Sequence, residues 1–67
     1  MERKSVSSSD LSSVGYENGT LEIRFHNGGT YQYYGVPVVV YQALMSANSK
    51  GSFFHKHIKN NYRWQKL

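Results

Sequence analysis

Cysteine is absent from this 67-residue chain, so neither a disulfide nor a thiolate metal site can be built from it. That absence suits a reducing cytoplasm, which is the compartment expected. Acid is scarce and one-sided: Glu2, Asp10, Glu17 and Glu22 are all there is, and nothing from residue 23 onward is acidic. Paired carboxylates for acid–base catalysis are therefore hard to assemble, and no serine has a recognisable base and orienting partner beside it. No enzymatic activity and no cofactor are expected. Long apolar runs are missing too. The longest, Val36 to Tyr41, is interrupted by the single proline, Pro37, and falls far short of the roughly 20 residues that cross a membrane. Met1-Glu2-Arg3-Lys4 leads into serines instead of an apolar stretch, so no secretory signal is expected and no membrane partner is implied.

What is present is basic and aromatic. The formal net charge is +4, made of −2 in residues 1–22 and +6 in residues 23–67. Such asymmetry points to a polyanionic partner, nucleic acid above all; an ordinary solvated basic face is the other reading. A domain this small buries only about 60% of the surface that its unfolded chain exposes, so each large apolar side chain matters to the core. One domain, residues 1–67 with its core at about 6–62, is expected, with no internal repeat and no linker.

Two Asn-Gly pairs punctuate the first half. Asn18-Gly19 and Asn27-Gly28 separate β-prone runs, which is a strong short-range hairpin signal. They predict a three-stranded antiparallel meander over about 12–17, 20–26 and 30–35, with Gly15 marking a bulge or a close backbone approach. Ser5 to Ser9, around Val6, can begin a further strand. In the second strand Leu21, Ile23 and Phe25 share one face, expected to meet the core, and Glu22, Arg24 and His26 share the other. Facing in the third strand depends on the loop. A two-residue turn at Asn27-Gly28 puts Tyr31 and Tyr33 on the Arg24/His26 face. A three-residue loop with Gly28 left-handed pairs Ile23 with Tyr31 and Leu21 with Tyr33, on the core face. The small core's need for the rings favours the second.

Gly35-Val36-Pro37 ends the sheet, and proline suits the first position of a helix. A helix is predicted over about 37–47, with Val40, Leu44 and Ala47 inward. A second is predicted over about 50–60, capped by Asn48 or Ser49, with Phe54 and Ile58 inward. Asn60-Asn61 is a plausible stop. The tail from Tyr62 to Leu67 either packs back or stays mobile. The fold class is α+β: a meander followed by two helices packed on one sheet face.

The order Leu-x-Ile-x-Phe-x-Asn-Gly-Gly-x-Tyr-x-Tyr-Tyr-x-Val-Pro over residues 21–37, then Tyr41, Leu44, Ala47, Ser49-Lys50-Gly51, Phe54, Ile58 and Tyr62, resembles the KTSC domain. The resemblance runs over about residues 6–62. It implies a small domain found at the C-terminus of some lysyl-tRNA synthetases and in stand-alone bacterial proteins. It also brings RNA binding as a conjectured function, and no catalytic residues.

Several features can carry binding. Lys56, Lys59, Arg63 and Lys66 are spaced three, four and three, so on one continuous helix they would occupy an arc of about 80°, opposite Phe54 and Ile58. Such a stripe suits phosphates, although Asn60-Asn61 can break it. Tyr31, Tyr33 or Tyr34 can stack on an unpaired base; Tyr31 and Tyr33 also read as core rings, which leaves Tyr34 and Trp64 as the better exposed pair. Ser49-Lys50-Gly51 before a helix reads either as an anion-binding turn or as a simple cap. His26, His55 and His57 do not make a metal site, because residues two apart on a helix diverge. The expected function is a small non-enzymatic module binding RNA or another nucleic acid through Lys50, Lys56, Lys59, Arg63 and Lys66. The alternative is a protein-interaction module using Tyr34, Trp64 or a sheet edge.

Overall fold

The computed structural model describes all of residues 1–67. The chain is α+β. Five strands, β1 (Lys4–Ser5), β2 (Leu11–Glu17), β3 (Thr20–Phe25), β4 (Thr30–Tyr34) and β5 (Arg63–Lys66), form one antiparallel sheet in the order β1-β2-β3-β4-β5. Two helices, α1 (Val38–Ser46) and α2 (Lys50–His57), connect β4 to β5. The expected meander is the centre of this sheet, and the strand count rises from three to five. A short N-terminal strand and the C-terminal tail add the two edges.

Turn chemistry sets the register. Asn18 and Gly19 both have positive φ, 52° and 83°, the geometry of the two-residue turn that matches strand twist. In the next hairpin Gly28 has φ 104° and the Phe25 N–H donates to the Gly29 carbonyl at 2.8 Å. The loop is therefore the three-residue form, and Ile23 pairs with Tyr31 and Leu21 with Tyr33. The tyrosine pair faces the helices.

The core holds Leu11, Val14, Leu21, Ile23, Tyr33, Val36, Leu44, Phe54 and Ile58. Tyr16 ties the sheet to α1: its hydroxyl donates to the Val36 carbonyl, and its ring stacks on Tyr41 at 4.8 Å and 11°. Pro37 lies just outside α1 as its N-cap, with extended ψ of 149°. α2 stops at His57, earlier than the Asn60-Asn61 signal suggests. The Asn61 amide donates to the His57 carbonyl at 2.8 Å, and the Lys59 N–H reaches back to the Phe54 carbonyl. Those bonds cap the helix and turn the chain so that β5 can pair with β4.

The sheet's other face is polar and partly covered by residues 1–3. Gly15 pairs with Glu22, and a Cβ on Gly15 would lie 2.6 Å from the Glu2 carbonyl oxygen, so the glycine marks a close approach of the N-terminal arm. The bulge is elsewhere, between Leu11 and Ser13. Arg3 forms an ion pair with Glu22, which is only 6% exposed. The Gln32 amide donates to the other Glu22 oxygen at 2.8 Å. The Gln32 bond first, and then Arg3, hold the Glu22 carboxyl below its usual range against the opposing effect of burial. No helix is long and apolar enough to cross a membrane.

Candidate functional site

Strand β5 faces two ways. Trp64 pairs with Tyr33 and Lys66 with Tyr31, so these four share the helix-facing side. Arg63 pairs with Tyr34 and Gln65 with Gln32, on the opposite side. A cleft of about 710 Å³ opens where the β3, β4 and β5 side chains meet α2 and the turn after it. Tyr33 and Phe54 form its floor, 4% and 3% exposed, with their rings edge-on at 5.3 Å. Phe25 meets Phe54 at 5.3 Å and Tyr31 at 5.7 Å, both edge-on. Tyr31 then meets Trp64 at 5.7 Å and a 56° tilt. This run of rings ends at Trp64, 56% exposed at the mouth.

Polar groups border the rings. Lys59, His55, His26, Asn60 and Asp10 line the cleft. The Lys66 ammonium lies 6.0 Å from the Tyr31 ring centroid, at the outer reach of a cation–π contact. Burial, and then the neighbouring Tyr31, push the Tyr33 phenol up to about 12, so it stays a neutral floor group at ordinary pH.

The expected site residues separate. Lys59 and Tyr31 come together in the cleft lining, and Lys66 lies outside it on the Tyr31 side. Tyr33 is its buried floor, which leaves no free ring face for stacking. Tyr34 lies on the other sheet face, where its hydroxyl donates to the Gln32 amide oxygen at 3.0 Å, and exposed Arg63 is its strand partner. Lys56 is exposed on α2. Lys50 is turned inward, its ammonium donating to the Ala47 carbonyl at 3.2 Å. A single helix carrying Lys56, Lys59, Arg63 and Lys66 does not exist. The helix ends at His57, and strand alternation sends Arg63 and Lys66 to opposite faces.

The Ser49-Lys50-Gly51 turn is a cap. The Ser49 hydroxyl accepts from the Ser52 N–H at 3.3 Å. The Asp10 carboxylate lies over Gly51, so close that a Cβ there would sit 2.5 Å from its oxygen. An anion from the chain itself thus occupies the start of α2, where the helix dipole favours negative charge. The histidines lie apart: His26 bonds the Ser8 carbonyl at 2.9 Å, His57 lies against Phe53, and His55 lies against Phe54.

Sequence reasoning missed Phe25, Phe54, His55, His26, Asp10 and Asn60 as cleft residues. One signal was readable: Arg63-Trp64-Gln65-Lys66 alternates cation, ring, amide, cation, a pattern that divides between two faces only in a strand.

Known proteins share this chain's sequence and shape. The family profile described as the KTSC domain matches residues 7–62. A lysine–tRNA ligase of Trichormus variabilis is 42% identical over 48 residues, which is 72% of this chain and 9% of the ligase. The chain thus spans about a tenth of the length of that relative. An uncharacterised protein of Stutzerimonas stutzeri is 40% identical over 70 residues, covering 100% of this chain and 99% of that one. The crystal structure of a KTSC domain protein from Yersinia pestis superposes with a TM-score of 0.96 at 48% identity, covering 98% of this chain and 96% of the other.

Proposed function

The chain belongs to the KTSC domain family, and from that premise we propose that it is a non-enzymatic module that binds RNA or another nucleic acid. One observation carries the reading: the exposed Trp64 shares its cleft with Lys59 and its strand face with Lys66, two residues along. Cations beside an exposed ring are what a flexible polyanion with stackable bases requires. Lys56, Lys59 and Lys66 hold phosphates, and Trp64 offers the stacking face. Arg63 and Tyr34, on the other sheet face, serve a second track at most, and Lys50 is occupied at the end of α1. The likeness to a segment of lysine–tRNA ligases, enzymes named for a transfer-RNA substrate, supports RNA as the polymer. The lack of cysteine supports a cytoplasmic setting.

The test is fluorescence anisotropy with labelled single-stranded RNA, transfer RNA and duplex DNA at two salt concentrations. Three phosphate contacts on a single strand give a log–log salt slope of about −2, so a fourfold rise in salt weakens binding about 20-fold. A folded Lys56→Glu/Lys59→Glu variant loses most of the affinity. Wild-type protein that is folded yet binds none of these at low salt refutes the reading. A second reading, protein binding by strand addition, is favoured by the unpaired outer edge of β5, whose four residues are all exposed. Its contacts would persist as salt rises.

A further inference from the structure

The cleft is large enough for one nucleotide, and its lining mixes rings with polar and cationic groups. Its volume of about 710 Å³ falls within the roughly 300–1,000 Å³ typical of small-molecule sites. The floor is closed by Tyr33 and Phe54, while the mouth is left open beside a tryptophan more than half exposed. In so small a domain, a large ring kept out of the core forgoes burial that would help stability. The surrounding polar groups are of the kind that a nucleotide engages. Lys59 lines the cleft, Lys66 lies just outside it over the Tyr31 ring, and Asn60 brings both a donor and an acceptor to the lining. Asp10, the one acid of the lining, already lies over Gly51 at the start of α2.

We propose that this cleft is a pocket for a single unpaired nucleotide, the base entering against Trp64 and Tyr31 and the phosphate resting on Lys59 and Lys66. For its polymer the proposal rests on the nucleic-acid reading above; for the base it rests on the cleft alone. A base in a duplex is stacked on both sides and cannot enter, so the pocket selects loops, ends and single strands. The same chemistry is offered by a free nucleoside monophosphate and by one residue of a strand.

Trp64 is the chain's only tryptophan, so its fluorescence reports the pocket directly. The first arm titrates wild-type protein with adenosine, guanosine, cytidine and uridine 5′-monophosphates, and with ribose 5-phosphate as the base-free control. Saturable quenching by at least one nucleotide and none by ribose 5-phosphate is expected. The second arm compares, by anisotropy, an all-abasic seven-residue strand with the same strand carrying one base at its centre. The single base should tighten binding about five- to 150-fold, the range for one base stacked on an aromatic ring. Trp64→Ala should erase that difference and Trp64→Phe should keep most of it. Trp64 packs on Tyr31, so circular dichroism and a urea transition confirm that both variants are folded.

Equal, salt-sensitive binding of the two strands, with no quenching by any nucleotide, overturns the pocket and leaves the nucleic-acid reading standing. Quenching by a free nucleotide with no strand bound supports the pocket, assigns it to free nucleotides and removes the polymer. No response in either arm overturns both.

Discussion

A methyl group on Gly15 sets two effects of similar size against each other. Glycine inside a strand is about 0.5–1 kcal/mol less favourable than alanine, so Gly15→Ala in open space would stabilise β2. Position 15 is not open. The new Cβ would lie 2.6 Å from the Glu2 carbonyl oxygen, 3.1 Å from the Arg3 Cγ and 3.2 Å from the Met1 Cγ. The nearest of these is backbone, so no rotamer change relieves the clash and the arm has to lift. Lifting it separates Arg3 from Ser13, whose hydroxyl accepts from the Arg3 Nε at 3.0 Å, and from the Glu22 carboxylate. A hydrogen bond to a charged group contributes about 1.5–3 kcal/mol. Water reaching Glu22 returns part of that, and the alanine gain offsets more. The expected net loss is about 1–2 kcal/mol. Urea denaturation measures the loss, and backbone relaxation of residues 1–3 shows whether the arm has lifted.

The acid limb gives an independent check. The Glu22 carboxyl is held below its usual value of 4.5 in the folded protein. Its contribution is therefore complete above that unfolded value and is lost as pH falls through the lower folded value. Gly15→Ala keeps Gln32 but loses Arg3, so less stability remains to be lost in acid. A variant more stable than wild type, or an arm still ordered with the acid limb unchanged, would refute the reasoning.

Three further outcomes follow from the core. Tyr33→Phe should flatten the alkaline limb: with the folded phenol pushed up to about 12, wild type loses roughly 2 kcal/mol between pH 10 and pH 12 that the variant keeps, read as thermal midpoint against pH. Phe54→Ala removes the ring that meets both Phe25 and Tyr33; its cost of about 3–5 kcal/mol is set against a total of roughly 3–10 kcal/mol for a domain this size, so its urea transition should fall close to zero denaturant. Tyr16→Phe keeps the stack on Tyr41 but loses the bond to the Val36 carbonyl, costing about 1 kcal/mol in the same assay.

The hairpins were legible because their information is local. Asn18-Gly19 demands positive φ at two successive residues, and the His26-Asn27-Gly28 loop fixes which face Tyr31 and Tyr33 take. Leu21 and Ile23, alternating with Glu22, then define the core side without reference to the rest of the chain. Gly15 was readable as an irregular position. Only the fold shows that its cause is residues 1–3 crossing the outer face, since nothing in Met1-Glu2-Arg3 marks where that segment lies.

The C-terminal residues show why the site was harder to read than the sheet. Their charges fall at helical spacing, and that pattern holds only if the helix survives past residue 57. What ends it is tertiary: Ile58 is fully buried, Asn61 caps the His57 carbonyl, and β4 has an edge that Arg63–Lys66 can pair with. Four exposed residues have little intrinsic drive to become a strand, so the pairing partner decides their structure. Once they are a strand, period two replaces period 3.6 and the stripe divides. Lys66 moves to the Tyr31 ring and Arg63 to the far face, while Trp64, expected as an exposed ring, comes to line a cleft. A basic stripe would hold a phosphate backbone wherever it ran. The strand instead sets Trp64 into a cleft floored by Phe54 and Tyr33 with Lys59 on its lining, and that difference in surface follows from the replacement of a helix by a strand.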